Sequence, residues 1–259
     1  FGLPFAIIYW ILLHILVDEQ LTWSWAFWHY AFVGGVAQIL AMVALLRAFS
    51  LGGFAVGTAY AKTETLQTAL FTVILLNEDV SASTLIAIII SFLGVLVLSN
   101  AKSEISLKGI FFSWTEKAAL YGLASAGALG LSAVSYRGAA LSMQGGGVLL
   151  PAASTLVVAL TFQTILMTIY LVKQEKGELT KIWRNRKKAL LVGVVSMLGS
   201  VGWFTAMTLQ NAAYVRALGQ VELIFTFLTS GFIFRERIAK AEIGGALLIV
   251  GGVLVLLLN

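Results

Sequence analysis

The sequence predicts an all-α, polytopic membrane protein, and three observations carry that prediction. Of its 259 residues, 59% are hydrophobic and 11% are charged, whereas a soluble domain carries about 25% charged residues. The apolar residues fall in runs of the length, roughly 17–25 residues, that a helix needs to cross a hydrocarbon core. The basic residues gather in the polar breaks between those runs, as membrane proteins arrange them. One soluble core cannot hide this much apolar surface, so lipid is the solvent the composition implies.

Helices are expected at about 3–17, 24–47, 53–76, 82–100, 115–137, 148–173, 187–209, 212–234 and 240–258, which gives nine spans. The first is short. It opens "FGLPFAIIYW" without a basic n-region, so it does not read as a signal peptide and reads instead as a chain entered part-way. The second follows an aromatic segment, Trp23 to Tyr30, whose tryptophans suit a membrane–water interface. The third departs from the pattern, because "TAYAKTETLQTALF", Thr58 to Phe71, puts Lys62 and Glu64 inside an oily run. The fourth and fifth flank a loop at 101–114, and the sixth and seventh flank the longest polar segment, "KQEKGELTKIWRNRKK". The eighth carries Glu222, and the last is a glycine-rich apolar run.

The sign of the loops orients the chain. Arg47, the lysines of 102–117, the basic cluster of 173–188 and the group Arg235, Arg237 and Lys240 fall on one side; only Arg137 and Arg216 fall on the other. Positive-inside bias then places 173–188 in the cytoplasm and Asn259 outside. The pI near 9.5 reflects these loops and not a nucleic-acid surface. With no cysteine, thiolate metal sites, disulfides and cysteine nucleophiles are excluded. His14 and His29 read as packed or interfacial side chains. There is no P-loop, paired-histidine metal motif or nucleophile elbow, so neither an enzyme nor a bound cofactor is expected.

A repeat of 158 residues runs through the chain. It pairs Ala59 with Ala217, Glu64 with Glu222, Thr68 with Thr226 and Glu78 with Glu236, and "GVLVL" recurs whole at Gly94–Leu98 and Gly252–Leu256. The helices holding Glu64 and Glu222 are five spans apart, an odd number, so the copies cross the membrane in opposite senses. That is an inverted-topology repeat, the plan of many alternating-access carriers. The expected boundaries are 1–100 for the first repeat, with four of five helices, 101–114 for the linking loop, and 115–259 for the second. One helix before Phe1 is inferred, which makes ten.

Glu64 and Glu222 both fall near the middle of a predicted helix. A carboxylate there costs about 2.5–3.5 kcal/mol on insertion scales, and persists as a structural pair or as a binder of solute or proton. Tyr60, Gln67 and Thr68 share the face of Glu64, and Thr226 that of Glu222, whereas Gln220 is off-face. Lys62, roughly 200° around from Glu64, pairs with another helix or snorkels to an edge. Trp203 lies deep enough to line a cavity. Gln38, Gln163, Tyr136, Arg137 and Arg216 complete the polar candidates. The glycines Gly94, Gly244, Gly245, Gly251 and Gly252 allow close helix approach, with a dimer contact as the minority reading.

Two copies that each end in a glutamate and then a glycine-rich helix, "ALFTVILLNEDVSASTLIAIIISFLGVLVL" and "FTFLTSGFIFRERIAKAEIGGALLIVGGVLVL", resemble the drug/metabolite transporter superfamily and its EamA-type members. The resemblance implies a central cavity, solute movement by rocking of the halves, and proton or solute exchange without ATP. Two features depart from it: family members often show proline or small residues where Glu64 and Glu222 stand, and they are usually drawn with both termini inside. The expectation is a secondary transporter or exchanger of a small organic metabolite, an amine, an amino acid or similar, in a bacterial inner membrane, as a monomer or homodimer. Two carboxylates favour a cation, a zwitterion or a proton, while Lys62, Arg137 and Arg216 leave an anion open. A non-transporting scaffold with a dry centre and a lipid-linked solute flippase with a lateral opening are the alternatives.

Overall fold

The computed structural model describes residues 1–17, 20–51, 54–100, 114–175, 177–232 and 239–258. Within them the helices are α1 (Leu3–Leu16), α2 (Trp25–Ser50), α3 (Phe54–Ala61), α4 (Glu64–Leu76), α5 (Ala82–Asn100), α6 (Lys117–Leu141), α7 (Leu149–Gln174), α8 (Glu178–Arg184), α9 (Arg186–Leu209), α10 (Ala212–Gly219), α11 (Glu222–Phe232) and α12 (Lys240–Leu257). The only other pairing among the described residues is a single bridge between Thr22 and Gln144. Among the described residues five helices, α2, α6, α7, α9 and α12, are long and apolar enough to cross a membrane; α1 and the Ala82–Leu98 stretch of α5 are apolar but shorter. Exposed Leu, Ile and Val side chains cover these helices, for example Leu191, Val192 and Val195 on α9 and Leu247 on α12, a surface suited to lipid.

Three expectations are corrected. The single helix at 53–76 is two helices, α3 and α4, and the single helix at 212–234 is also two, α10 and α11. Apolar periodicity continues through both interruptions, so hydropathy could not show them. The polar segment 173–188 also contains a helix, α8. Glu178 in its first turn and Lys181 and Arg184 in its last complement the helix dipole, and Lys181 pairs with Glu178. Glu236, Arg235, Arg237, Lys102, Lys108, Lys176 and the loop 101–113 lie outside the described residues.

The chain forms two compact units that interleave along the sequence: Phe1–Val36 with Ser135–Gln210, and Ala37–Val134 with Asn211–Asn259. In the first, Tyr136 packs on Phe204 with ring centroids 4.6 Å apart, among Ala152, Leu156 and Ala159. Gly34 makes room for the Tyr136 ring, which a Cβ there would meet at 2.7 Å. Trp10 donates to Ser154 Oγ at 2.8 Å and stacks on His14, which is exposed.

In the second unit α5 and α12 run against each other backbone to backbone. A Cβ on Gly245 would lie 2.6 Å from Leu98 N and 2.8 Å from Gly94 O, and one on Gly94 would lie 2.7 Å from Ile249 N. Small residues on α6 perform the same service for α3 and α4. A Cβ on Gly122 would meet Gly57 O at 2.5 Å, and one on Gly130 would meet Thr68 Oγ1 at 2.9 Å. Glycine here is a packing device that allows backbones to approach.

Candidate functional site

The interruption between α3 and α4 is built from its own residues. Lys62 N still reaches Thr58 O four residues back, but Thr63 N turns to Tyr60 O three residues back, and the Thr63 hydroxyl donates to the same carbonyl at 2.7 Å. A threonine hydroxyl that bonds backward competes with the regular helix ladder, and a short 3₁₀ turn within a helix often marks a hinge. Between α10 and α11, Gln220 N bonds Ala217 O and Val221 N bonds Leu218 O, again three residues back. A shift of 158 residues carries α3 onto α10 end for end, Lys62 and Thr63 onto Gln220 and Val221, and Glu64 onto Glu222.

Glu64 and Glu222 are therefore not mid-helix residues. Each is the first residue of the second half-helix, where the partial positive charge of a helix N-terminus favours a carboxylate. This corrects the expected placement and supplies a reason why these positions accept an acid.

The two acids are brought into one cluster with two bases, and the pairs cross between the interruptions. Arg216 Nη1 of α10 stands 2.9 Å from Glu64 Oε1 of α4, with side chains only 16% and 12% exposed. Lys62 Nζ, from the first interruption, stands 3.6 Å from Glu222 Oε1 of α11, with side chains 22% and 64% exposed. Lys62 and Glu222 also lie within electrostatic range of Glu64. Two acids and two bases leave the cluster formally neutral. Arg216, expected in an outward loop, is instead the enclosed partner of Glu64. Lys62 pairs across to another helix, one of its two expected readings.

The flanking candidates are sorted by their bonds. Thr68 donates to Glu64 O and Thr226 to Glu222 O, the same bond at both positions, so both hydroxyl protons are engaged on the backbone. Gln67 donates to Thr63 Oγ1 at 2.9 Å and to Leu123 O on α6 at 3.3 Å; it fixes the α4 start against α6. Tyr60 lies half-buried against Gly122 of α6. Gln220 is 7% exposed, and its Oε1, like Thr58 Oγ1, has no hydrogen-bond partner among the described residues. Under the shift, Gln220 is the counterpart of Lys62 and Thr58 that of Arg216. Sequence reasoning missed Thr58; only the repeat register could have pointed to it. Gln38, half-buried on α2, belongs to the same unit.

The remaining candidates belong to the other compact unit. Gln163 Nε2 on α7 donates to Tyr136 Oη at 3.1 Å and to Gly35 O at 3.4 Å. Trp203 is half-buried on α9. Arg137 is a helix cap: its Nη1 donates to Met207 O and Gln210 O at 2.7 Å and to Thr208 O at 3.3 Å, the carbonyls that end α9. This corrects the expectation that Arg137 lies in a loop: it stands within α6 and caps α9. Arg137→Met is expected to cost about 1.5–3 kcal/mol, the loss of charge-assisted bonds, read as a lower thermal midpoint with unchanged solute response.

Interrupted apolar helices that carry paired charges are the architecture of integral membrane transporters, and the fold and the cluster place this chain in that class. The EamA-like transporter family model matches residues 117–258, more than half of the chain, and the chain belongs to that family, consistent with the drug/metabolite transporter superfamily. A solved structure described only as "Crystal structure of protein" shares the fold with a TM-score of 0.71 at 16% identity, over 99% of this chain and 83% of that one. No curated protein matches.

Proposed function

We propose that this membrane transporter is a secondary carrier or exchanger of a small amine-bearing organic solute, an amine or an amino acid, working by alternating access between two inverted repeats in a bacterial inner membrane. Glu222 is the solute-facing acid. Glu64, enclosed with Arg216, holds the second half-helix in register and is the acid placed to take a coupling proton.

The observation that carries the reading is the crossed pairing at matched interruptions. Each pair joins a residue of one repeat to a residue of the other, so a change in either pair is felt by both. An exposed carboxylate in a chain of this hydropathy is tolerated facing a watered space and not lipid, which favours solute access over a dry scaffold. The 158-residue correspondence of element bounds supports duplication, and the odd number of expected spans between the copies supports inversion.

The test is uptake into proteoliposomes of radiolabelled L-threonine, ethanolamine and succinate, as zwitterion, cation and dianion. Saturable uptake of an amine-bearing probe and not of succinate is expected. Glu222→Gln removes a charge-assisted contact of about 1.5–3 kcal/mol, which is about ten- to hundredfold in apparent affinity. Equal uptake by wild type, Glu222→Gln and Glu64→Gln would overturn the assignment.

A further inference from the structure

We propose that Lys62 is a tethered occupant of an amine subsite at Glu222: its ammonium holds the carboxylate while the carrier is empty and is displaced by the ammonium of the solute. The inference rests on the transporter reading and deepens it by giving Lys62 a role of its own.

The two crossed pairs are not built alike. Arg216 and Glu64 have the form of a pair that holds helices together, close at 2.9 Å and enclosed on both sides. Lys62 and Glu222 stand at 3.6 Å, beyond hydrogen-bond reach, and the carboxylate is mostly exposed. That carboxylate has no other partner among the described residues, because Thr226 bonds the backbone carbonyl of Glu222 and not its side chain. The cation is also the appropriate one. Lysine ends in a compact primary ammonium on a flexible stem, whereas arginine presents a planar fork suited to a fixed bidentate grip. A primary-amine solute carries the same head group as Lys62, so replacing one by the other conserves the charge opposite Glu222.

The corresponding position in the other interruption carries no cation. Gln220 occupies the position that corresponds to Lys62, two residues before Glu222, and its buried Oε1 lacks a donor. An ammonium has three N–H donors, and the two carboxylate oxygens of Glu222 offer acceptors to more than one of them. The expected consequence is competition: a free amine must displace a tethered ammonium whose effective concentration is in the millimolar range.

The test is a binding measurement that needs neither flux nor the natural solute. Thermal unfolding of the purified chain is followed against ethylammonium chloride, with tetramethylammonium chloride as the control for ionic strength. Lys62→Met is expected to be stabilised saturably by ethylammonium at concentrations about tenfold or more below those needed by wild type. Lys62→Met/Glu222→Gln is expected to gain no more than tetramethylammonium provides. The same half-saturation in wild type and Lys62→Met, or a gain retained in the double variant, overturns the proposal. Lys62→Gln replaces the methionine variant if that one does not fold. If neither folds, Lys62 is a structural brace and the proposal fails. Loss of transport with intact ethylammonium binding would instead count against the carrier reading, so the two failures are distinct.

Discussion

Arg216→Met is expected to be among the most destabilising single substitutions in the chain, costing about 3–5 kcal/mol, the usual penalty for stripping the partner from a buried charge. The Glu64 side chain is 12% exposed and would lose the guanidinium that stands 2.9 Å from it. Much of that loss should return in Arg216→Met/Glu64→Gln, because removing both charges also removes the uncompensated one. Lys62→Met provides the contrast. Its pair is looser and its carboxylate exposed, so the stability cost should fall in the range of about 0–1 kcal/mol typical of exposed pairs. A double-mutant cycle on each pair, read by thermal or denaturant unfolding, measures the difference directly. Equal coupling energies in the two pairs would refute the division of roles between them.

The second large effect is expected on the seam between α5 and α12. Gly245→Leu puts a side chain where a Cβ alone would lie 2.6 Å from Leu98 N and 2.8 Å from Gly94 O. Backbone cannot rotate away as a flexible side chain can, so the helices must part along the seam. Overpacking of this kind costs about 1–3 kcal/mol or more, which for a chain of this size is about 2–12 °C in thermal midpoint. Gly252→Leu should behave alike, since its Cβ would collide with Ser91 Oγ and with Ala87 O. Gly244 and Gly251 are on the same helix but meet nothing within 4 Å among the described residues. Leucine at either should leave the midpoint within about 1–2 °C. A comparable loss at Gly244 and Gly251 would show that the open glycine face is itself packed against something, as the dimer reading requires.

Much of this was legible in the linear chain. The lipid environment followed from hydropathy, and several helices from the length of the apolar runs: Ala82–Asn100 was bounded correctly at both ends, and α12 to within one residue. Glu64 and Glu222 stood out because a charge is conspicuous in an oily run, and Lys62 because it sat beside one of them. Hydropathy did not reveal the interruptions at 62–63 and 220–221, since two residues of tighter backbone bonding change no side chain's polarity. Spacing along an uninterrupted helix therefore put Thr68 and Thr226 beside the acids as binding groups, whereas their hydroxyls are engaged on the backbone. Arg137 and Arg216 looked alike as basic residues near helix ends. One caps α9 through three carbonyls and the other neutralises Glu64.

The sequence by itself determined that the chain is helical, lives in lipid and carries matching residues 158 positions apart, because hydrophobicity, charge placement and spacing are properties of residue order. Tertiary structure alone decided which cation faces which acid, and hence that one acid is enclosed and the other is available. Ion pairs between helices are set by distances across space, and α3 and α4 reach their places because the glycines of α6 let the backbones come close.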